Sequence, residues 1–187
     1  MAGKPSDASI IGEALTRPTA FAEIFDRHYD AIRDYLARRL PTGLSEELAA
    51  ETFLIAFEKR RSYDIAFPSA RPWLFGIATN LLGRHRRDER RRMAAYSRSL
   101  PGAAGDAEDE IASRADATQM RSALARAIAE LEPGDRDALL LQALAELTYP
   151  EIARALHIPT GTVKSRLHRA RTQLASALEP EGAKADG

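Results

Sequence analysis

The chain of 187 residues is long enough for one ordinary domain or two small ones, and too short for a large multi-domain enzyme. Lys and Arg number 27 and Asp and Glu number 27, which excludes a uniformly basic nucleic-acid coat and a highly charged disordered chain. Apolar residues at 44% can fill a core, and the absence of Cys excludes disulfides, thiolate metal sites and thiol catalysis.

No apolar run approaches the roughly 18 residues of a membrane span. The segment MAGKPSDASIIGEALTR has no signal-peptide core, so a cytoplasmic location is expected. In chain order, the apolar residues Phe21, Ile24, Phe25, Ile32, Tyr35, Leu36 and Leu40 recur at helical spacing. Pro41-Thr42-Gly43 is expected to end that helix. Ser45 is expected to cap the next, with Glu46 and Glu47 in its first turn and Leu48, Phe53 and Phe57 on one face. Periodicity lapses over 62–72 and resumes at Trp73, Leu74, Ile77, Ala78, Leu81 and Leu82.

Net charge conceals a gradient. Residues 1–92 carry 16 basic and 13 acidic groups, whereas 93–118 carry 2 and 5 and are rich in Gly, Ala and Ser. That stretch reads as a flexible acidic linker, because loops beyond about 15 residues are unusual inside compact domains. Helices are then expected at 118–131, 135–146, 149–156 and 160–178, with a Pro133-Gly134 turn and a disordered tail at 179–187. No β alternation is evident. The expected fold is all-α: two small helical domains, 18–92 and 119–178, joined by the linker 93–118.

Thr148-x-x-Glu151 is a capping box, and Pro150 sits in the first turn, where its missing N–H costs little. Eight helical residues end at Leu156, His157-Ile158-Pro159 turns the chain, and Thr160 can cap the following helix. Small Ala153 permits close crossing, and Ile152, Leu156, Ile158, Val163 and Leu167 form the wedge between the two helices. At about 100° per residue, Leu167, Ala170 and Leu174 fall near Val163 in one buried stripe. Gly161, Ser165, His168, Arg169 and Thr172 face the other way, flanked by Lys164 and Arg171. Four positive charges and no acid occupy 160–174. A helix buried on one side and polar and basic on the other, held by a short turn, fits a DNA major groove.

A second basic element, Arg84–Arg92, has six Arg against two acids and follows an irregular stretch containing Tyr63 and Phe67. Arginines beside aromatics in an irregular loop suit unstacked bases and their phosphates. Trp73 fits either a stacking platform or core packing next to Leu74 and Ile77. A repressor or response regulator could use the same C-terminal unit, but 1–92 shows no parallel-strand pattern and no phosphate-binding Gly loop. The four His are scattered, and Asp26, His28 and Asp30 at spacings of two do not share a helical face, so they read as solvated surface and not as a metal or acid/base site. Neither catalysis nor a cofactor is expected.

The strings PWLFGIATNLLGRHRR and EIARALHIPTGTVKSRLHRARTQL, in this order and joined by a polar tether, resemble a bacterial RNA polymerase sigma factor of the extracytoplasmic-function group. The resemblance spans about 21–178. It implies a transcription initiation factor whose first domain docks on the polymerase clamp and melts the promoter minus-ten element. The second domain would read the minus-thirty-five element as a duplex and touch the polymerase flap. Docking then falls on 46–60, with Glu47, Glu51, Phe53 and Phe57. Melting and base capture fall on 62–87, with Tyr63, Arg71, Trp73, Asn80, Arg84 and Arg87. Duplex reading falls on Thr160, Gly161, Thr162, Lys164, Ser165, His168, Arg169 and Arg171. The chain departs from the family pattern at Glu47 and Ala50, where relatives usually carry Asp and Gln, and at His157, where many have Gly. The resemblance also implies an anti-sigma partner, and a linker path near the polymerase RNA exit.

Overall fold

The computed structural model describes residues 4–99 and 117–178, and all regular structure among them is helical. The N-terminal half comprises α1 (Asp7–Glu13), α2 (Ala22–Ala37), α3 (Thr42–Glu58) and α4 (Arg71–Ser99), with single 3-10 turns at Pro18–Phe21 and Arg60–Ser62. The C-terminal half comprises α5 (Ala117–Glu130), α6 (Pro133–Ala145), α7 (Tyr149–Leu156) and α8 (Thr160–Leu178). Among the described residues no helix is long and apolar enough to cross a membrane.

Helical periodicity sorts the core as expected. Ile24, Ile32, Tyr35 and Leu36 of α2 meet Leu48, Ala49 and Phe53 of α3 and Leu74, Phe75, Ala78 and Leu82 of α4. Buried hydroxyls in this core are satisfied: the Tyr35 hydroxyl lies 2.8 Å from Thr79 Oγ1, and Thr52 donates to the Leu48 carbonyl at 2.7 Å. In the other half Leu141, Ile152, Ala155, Val163, Leu167 and Ala170 are buried.

Three expectations are corrected. Helix α1 precedes the expected domain start at 18. Ser6 caps it, accepting the Ser9 N–H at 3.2 Å, and its Ile10, Ile11 and Ala14 are buried. Ser45 is not a cap: α3 starts at Thr42, after Pro41, and Ser45 is buried with its hydroxyl donating to the Thr42 carbonyl at 2.7 Å. The Pro-Thr-Gly stop is thus also a helix start, because Pro is tolerated where no N–H is required. Helix α4 runs to Ser99, past the expected boundary at 92. The rest of the expected linker, from 100 to 116, and the tail at 179–187 lie outside the described residues.

The two halves, expected as two domains joined by a tether, also pack on each other. They share one continuous apolar cluster. Helix α7 lies on α4 so closely that a Cβ on Gly76 would come 2.5 Å from the Ala155 carbonyl oxygen. Arg39, just after α2 and with its side chain only 3% exposed, donates to Asp137 of α6 at 2.7 Å. Arg71 Nη2 donates to the Ala145 carbonyl at 2.8 Å, serving the C-terminal end of α6.

Candidate nucleic-acid interface

The C-terminal unit is built as its sequence dictates. The Thr148 N–H donates to the Glu151 carboxylate at 2.8 Å, and the hydroxyl donates to it at 2.7 Å, which fixes where α7 begins. At its end His157 adopts φ 53°, the left-handed conformation that lets the Ile158 N–H reach the Ala153 carbonyl at 3.0 Å. His pays less for this than a β-branched residue would. Helix α8 follows, with Val163 N–H bonded to the Pro159 carbonyl, so Thr160 stands in its first turn and not before it. Ala155 is buried with its carbonyl against Gly76 of α4, and Ala153 is half-buried.

The two faces of α8 separate cleanly. Val163, Leu167 and Ala170 are buried and Leu174 half-buried; Thr160, Gly161, Lys164, Ser165, His168, Arg169 and Arg171 are exposed, and Thr162 is half-buried. Two of the expected DNA-contacting cations are engaged within the fold. Arg169 forms a two-bond fork on buried Asp135, at 2.9 and 2.7 Å, and this partner raises its already high pKa. Arg171 donates to Gln142 at 2.7 Å. Lys164 and His168 extend into solvent on either side of Ser165.

In the N-terminal half the irregular stretch 60–70 folds against the start of α4. The Tyr63 hydroxyl donates to the Phe67 carbonyl at 2.6 Å, and its ring lies 5.0 Å from that of Trp73, tilted by 52°. Burial, reinforced by the Asp7 charge, pushes the Tyr63 phenol up to about 12, so it is a neutral donor at every physiological pH. Trp73 is half-buried: it packs against the core cluster and also lines a cavity of about 450 Å³. Lys59, Tyr63, Phe67 and Asn80 line that cavity from the N-terminal half, and Arg154 of α7 and His157 just after it line it from the other. The Arg154 guanidinium sits 4.0 Å from the centre of the Phe67 ring. Arg84 and Arg87 are exposed farther along α4, whereas Arg71 is half-buried and bound to α6.

On α3, Glu47 is exposed, and Glu51 and Phe57 are half-buried. Phe57 packs edge-on to Phe21 at 5.5 Å and lies 4.0 Å beneath the Arg60 guanidinium. Phe53, expected on the docking face, is buried at 4% exposure against the Phe25 and Tyr29 rings, so its ring is not available to a partner. The neighbouring Leu54 is 57% exposed, an apolar side chain presented on the surface of α3. The run Thr52-Phe53-Leu54-Ile55-Ala56-Phe57 holds more apolar residues than one buried face can use, and that excess was the available signal.

His28 is likewise not solvated surface. Its Nε2 lies 2.8 Å from the Asp7 carboxylate, which also accepts from Arg27 at 3.1 Å. Among the described residues no group of His, Asp and Glu could hold a metal ion.

Comparison with known proteins returns one family twice, in chain order. The sequence pattern of sigma-70 region 2 matches residues 24–92, and that of sigma-70 region 4 matches residues 121–174. The chain is 31% identical over 147 residues to the ECF RNA polymerase sigma factor SigC of Mycobacterium tuberculosis, covering 79% of this chain and 77% of that protein. It is 30% identical over 165 residues to RNA polymerase sigma factor CarQ of Myxococcus xanthus, covering 85% and 89%. Among solved structures it resembles CnrH in complex with the cytosolic domain of CnrY, with a TM-score of 0.62 at 24% identity over 92% of this chain and 96% of that one. It also resembles the sigma factor RpoE bound to the anti-sigma factor NepR from Bartonella quintana, with a TM-score of 0.60 at 23% identity over 86% and 98%. These two similarities establish a shared fold.

Proposed function

Because the chain belongs to the extracytoplasmic-function group of the sigma-70 family, and is therefore a transcription initiation factor that directs RNA polymerase to promoters, we propose a division of labour among its surfaces. Helix α8 reads the minus-thirty-five element as duplex. Thr160, Gly161, Thr162, Lys164, Ser165 and His168 face the groove, and Arg171 lies at its margin. The cavity beside Tyr63 and Trp73 receives an unpaired base of the minus-ten element, Asn80 offering an amide to its edge. Arg84 and Arg87 on α4 neutralise the phosphates of the same strand. Glu47, Glu51 and exposed Leu54 on α3 dock on the polymerase clamp.

One observation supports this assignment above the others: a half-open aromatic cavity and an acid-free polar helix face occur in one chain, on two halves of the fold. Opening DNA costs about 1.4 kcal/mol per base-pair step. A chain of this size has no separate source for that energy, so melting is assigned to the complex with polymerase. An anti-sigma partner is proposed for this chain as well, since both similar solved structures contain a partner and one names it as an anti-sigma factor. Such a partner would compete with polymerase for α3. The factor is proposed to act in the cytoplasm and to need no cofactor.

In vitro transcription with core polymerase on a library of promoter variants tests the assignment. Start-site-selective RNA that depends on both elements is expected. Selective RNA that ignores the minus-ten sequence would remove the cavity from the account, and failure of the chain to bind core polymerase would favour a repressor instead.

A further inference from the structure

Helix α1 lies outside both matched family regions, which begin at residues 24 and 121. It nevertheless holds both ends of the loop that carries Tyr63 and Phe67. At the entry, the Ala14 carbonyl accepts from Arg60 Nε at 3.1 Å, and the same guanidinium donates to the Phe57 carbonyl at 2.7 Å. At the exit, Asp7 Oδ2 accepts the Ala70 N–H at 2.9 Å, immediately before α4 begins, and the Ala8 N–H meets the Pro68 carbonyl at 3.4 Å.

Asp7 is itself fixed from α2. Arg27 and His28 hold its two oxygens, and Arg27 also donates to the Pro5 carbonyl at 2.7 Å. Burial alone would push the Asp7 carboxyl up. The His28 hydrogen bond, the Ala70 N–H, the His28 charge and Arg27 outweigh it and bring the group down to about 2. Asp7 is therefore ionised throughout the physiological range. Between its two ends the loop's own hydrogen bonds are local: the Tyr63 hydroxyl to the Phe67 carbonyl, the Phe67 N–H to the Asp64 carbonyl at 3.1 Å, and the Ala66 N–H to the Asp64 carboxylate at 3.0 Å. These turns shape the loop, and the bonds to α1 fix where its two ends sit.

We infer that Asp7 is a positioning residue for minus-ten reading: by seating α1 on Ala70, and through Ala14 on Arg60, it fixes the 60–70 loop so that Tyr63 and Phe67 wall the Trp73 cavity. This inference rests on the proposed base-capture role of that cavity. A bare stabilising role would predict fewer active molecules but the same promoter choice, whereas a positioning role predicts altered choice.

The test uses the full chain with core polymerase and the best promoter from a library, paired with a template changed only in the minus-ten element. Asp7→Asn is expected to lower the ratio of transcription between the two templates about ten-fold, the worth of one charge-assisted hydrogen bond. Competition for core polymerase should be unaltered, and Asp7→Glu should restore part of the ratio. Trp73 is the single Trp of the chain, so acrylamide quenching of its emission reads the cavity wall directly. Quenching should rise in Asp7→Asn while the helical circular dichroism stays the same. An equal fall on both templates, or an unchanged ratio, would overturn the inference. If the unmodified chain gave no promoter-selective RNA, the base-capture reading itself would fail, and unaltered Trp73 quenching would then show separately that α1 does not hold the loop.

Discussion

The two surfaces proposed to read DNA are presented differently by the same fold. The outer side of α8 is open, with Gly161, Lys164, Ser165 and His168 all exposed. The Tyr63–Trp73 cavity is partly roofed by Arg154 and His157, residues of the helix and turn just before α8. Duplex can thus reach α8 without rearrangement, while a strand entering the cavity competes with α7 for the same wall. The difference follows from packing: α8 spends one face on α6 and α7 and keeps the other free, whereas α4 is wanted by both halves of the molecule.

The sharpest way to break that asymmetry is to remove Asp137. It pairs with Arg39 and its charge acts on Arg86, which also feels Arg39 and Arg136. Burial, then the charges of Arg39 and Arg136, already push the Arg86 guanidinium below its ordinary value. Asp137→Ala leaves Arg39 buried without its carboxylate, a loss of about 3 kcal/mol for a broken buried pair. Separation of the halves relieves that cost, so the radius of gyration measured by X-ray scattering should increase. Arg39→Met combined with Asp137→Leu should restore the compact form. A single variant as compact and heat-stable as the unmodified chain would show that this pair does not join the halves.

Gly76→Ala attacks the same seam sterically. An added Cβ would stand 2.5 Å from the Ala155 carbonyl oxygen, a backbone atom that cannot rotate away. The cost is about 2 kcal/mol of overpacking, while within α4 itself Ala is the better helix former. Binding of single-stranded minus-ten DNA to the free chain should strengthen, by about ten-fold for every 1.4 kcal/mol lost from closure. Anisotropy with a labelled oligonucleotide measures this, and unchanged binding would mean that α7 does not obstruct the cavity.

Acid separates the halves in another way. Asp7 is held near 2, below its ordinary 3.8. A depressed carboxyl adds stability above the higher value and loses it as pH falls through the lower one. About 2 kcal/mol should therefore disappear between roughly pH 4 and pH 2. The loss belongs to the N-terminal half, where Trp73 reports it. Asp7→Asn should remove this part of the acid dependence in a fluorescence-monitored titration, and an identical acid limb in the variant would assign it to other groups.

The open face was far more legible in sequence than the covered one. A capping box, an eight-residue helix and a residue suited to positive φ fix α7 and the start of α8 through local chemistry alone, and both helices have the expected bounds. The seam leaves no such trace, because Gly76 and Ala155 are small, and small residues carry no periodic signal. Helix α1 was missed because seven residues cannot hold a helix in isolation; tertiary bonds from Arg27, His28 and Ala70 stabilise it. For Phe53 the periodicity, which sets it on one face with buried Leu48, and the resemblance, which gives it to docking, point different ways, and its burial follows the periodicity. Arg169 read as a free cation because its partner, Asp135, lies 34 residues away.

That last residue gives the finest test on the open face. Lys164 is exposed, so Lys164→Ala should weaken duplex binding about equally on all sequences and reduce the salt slope by about 1. Arg169 already shares its charge with buried Asp135, and a paired guanidinium releases fewer counterions on meeting phosphate. Arg169→Ala should therefore change the salt slope by clearly less than Lys164→Ala. Its main effect should be thermal, since Asp135 is left buried without its fork. Slopes from titrations at several salt concentrations decide the matter. If Arg169→Ala reduced the slope as much as Lys164→Ala, the arginine would have to leave Asp135 on binding, and the ion pair seen here would belong only to the DNA-free chain.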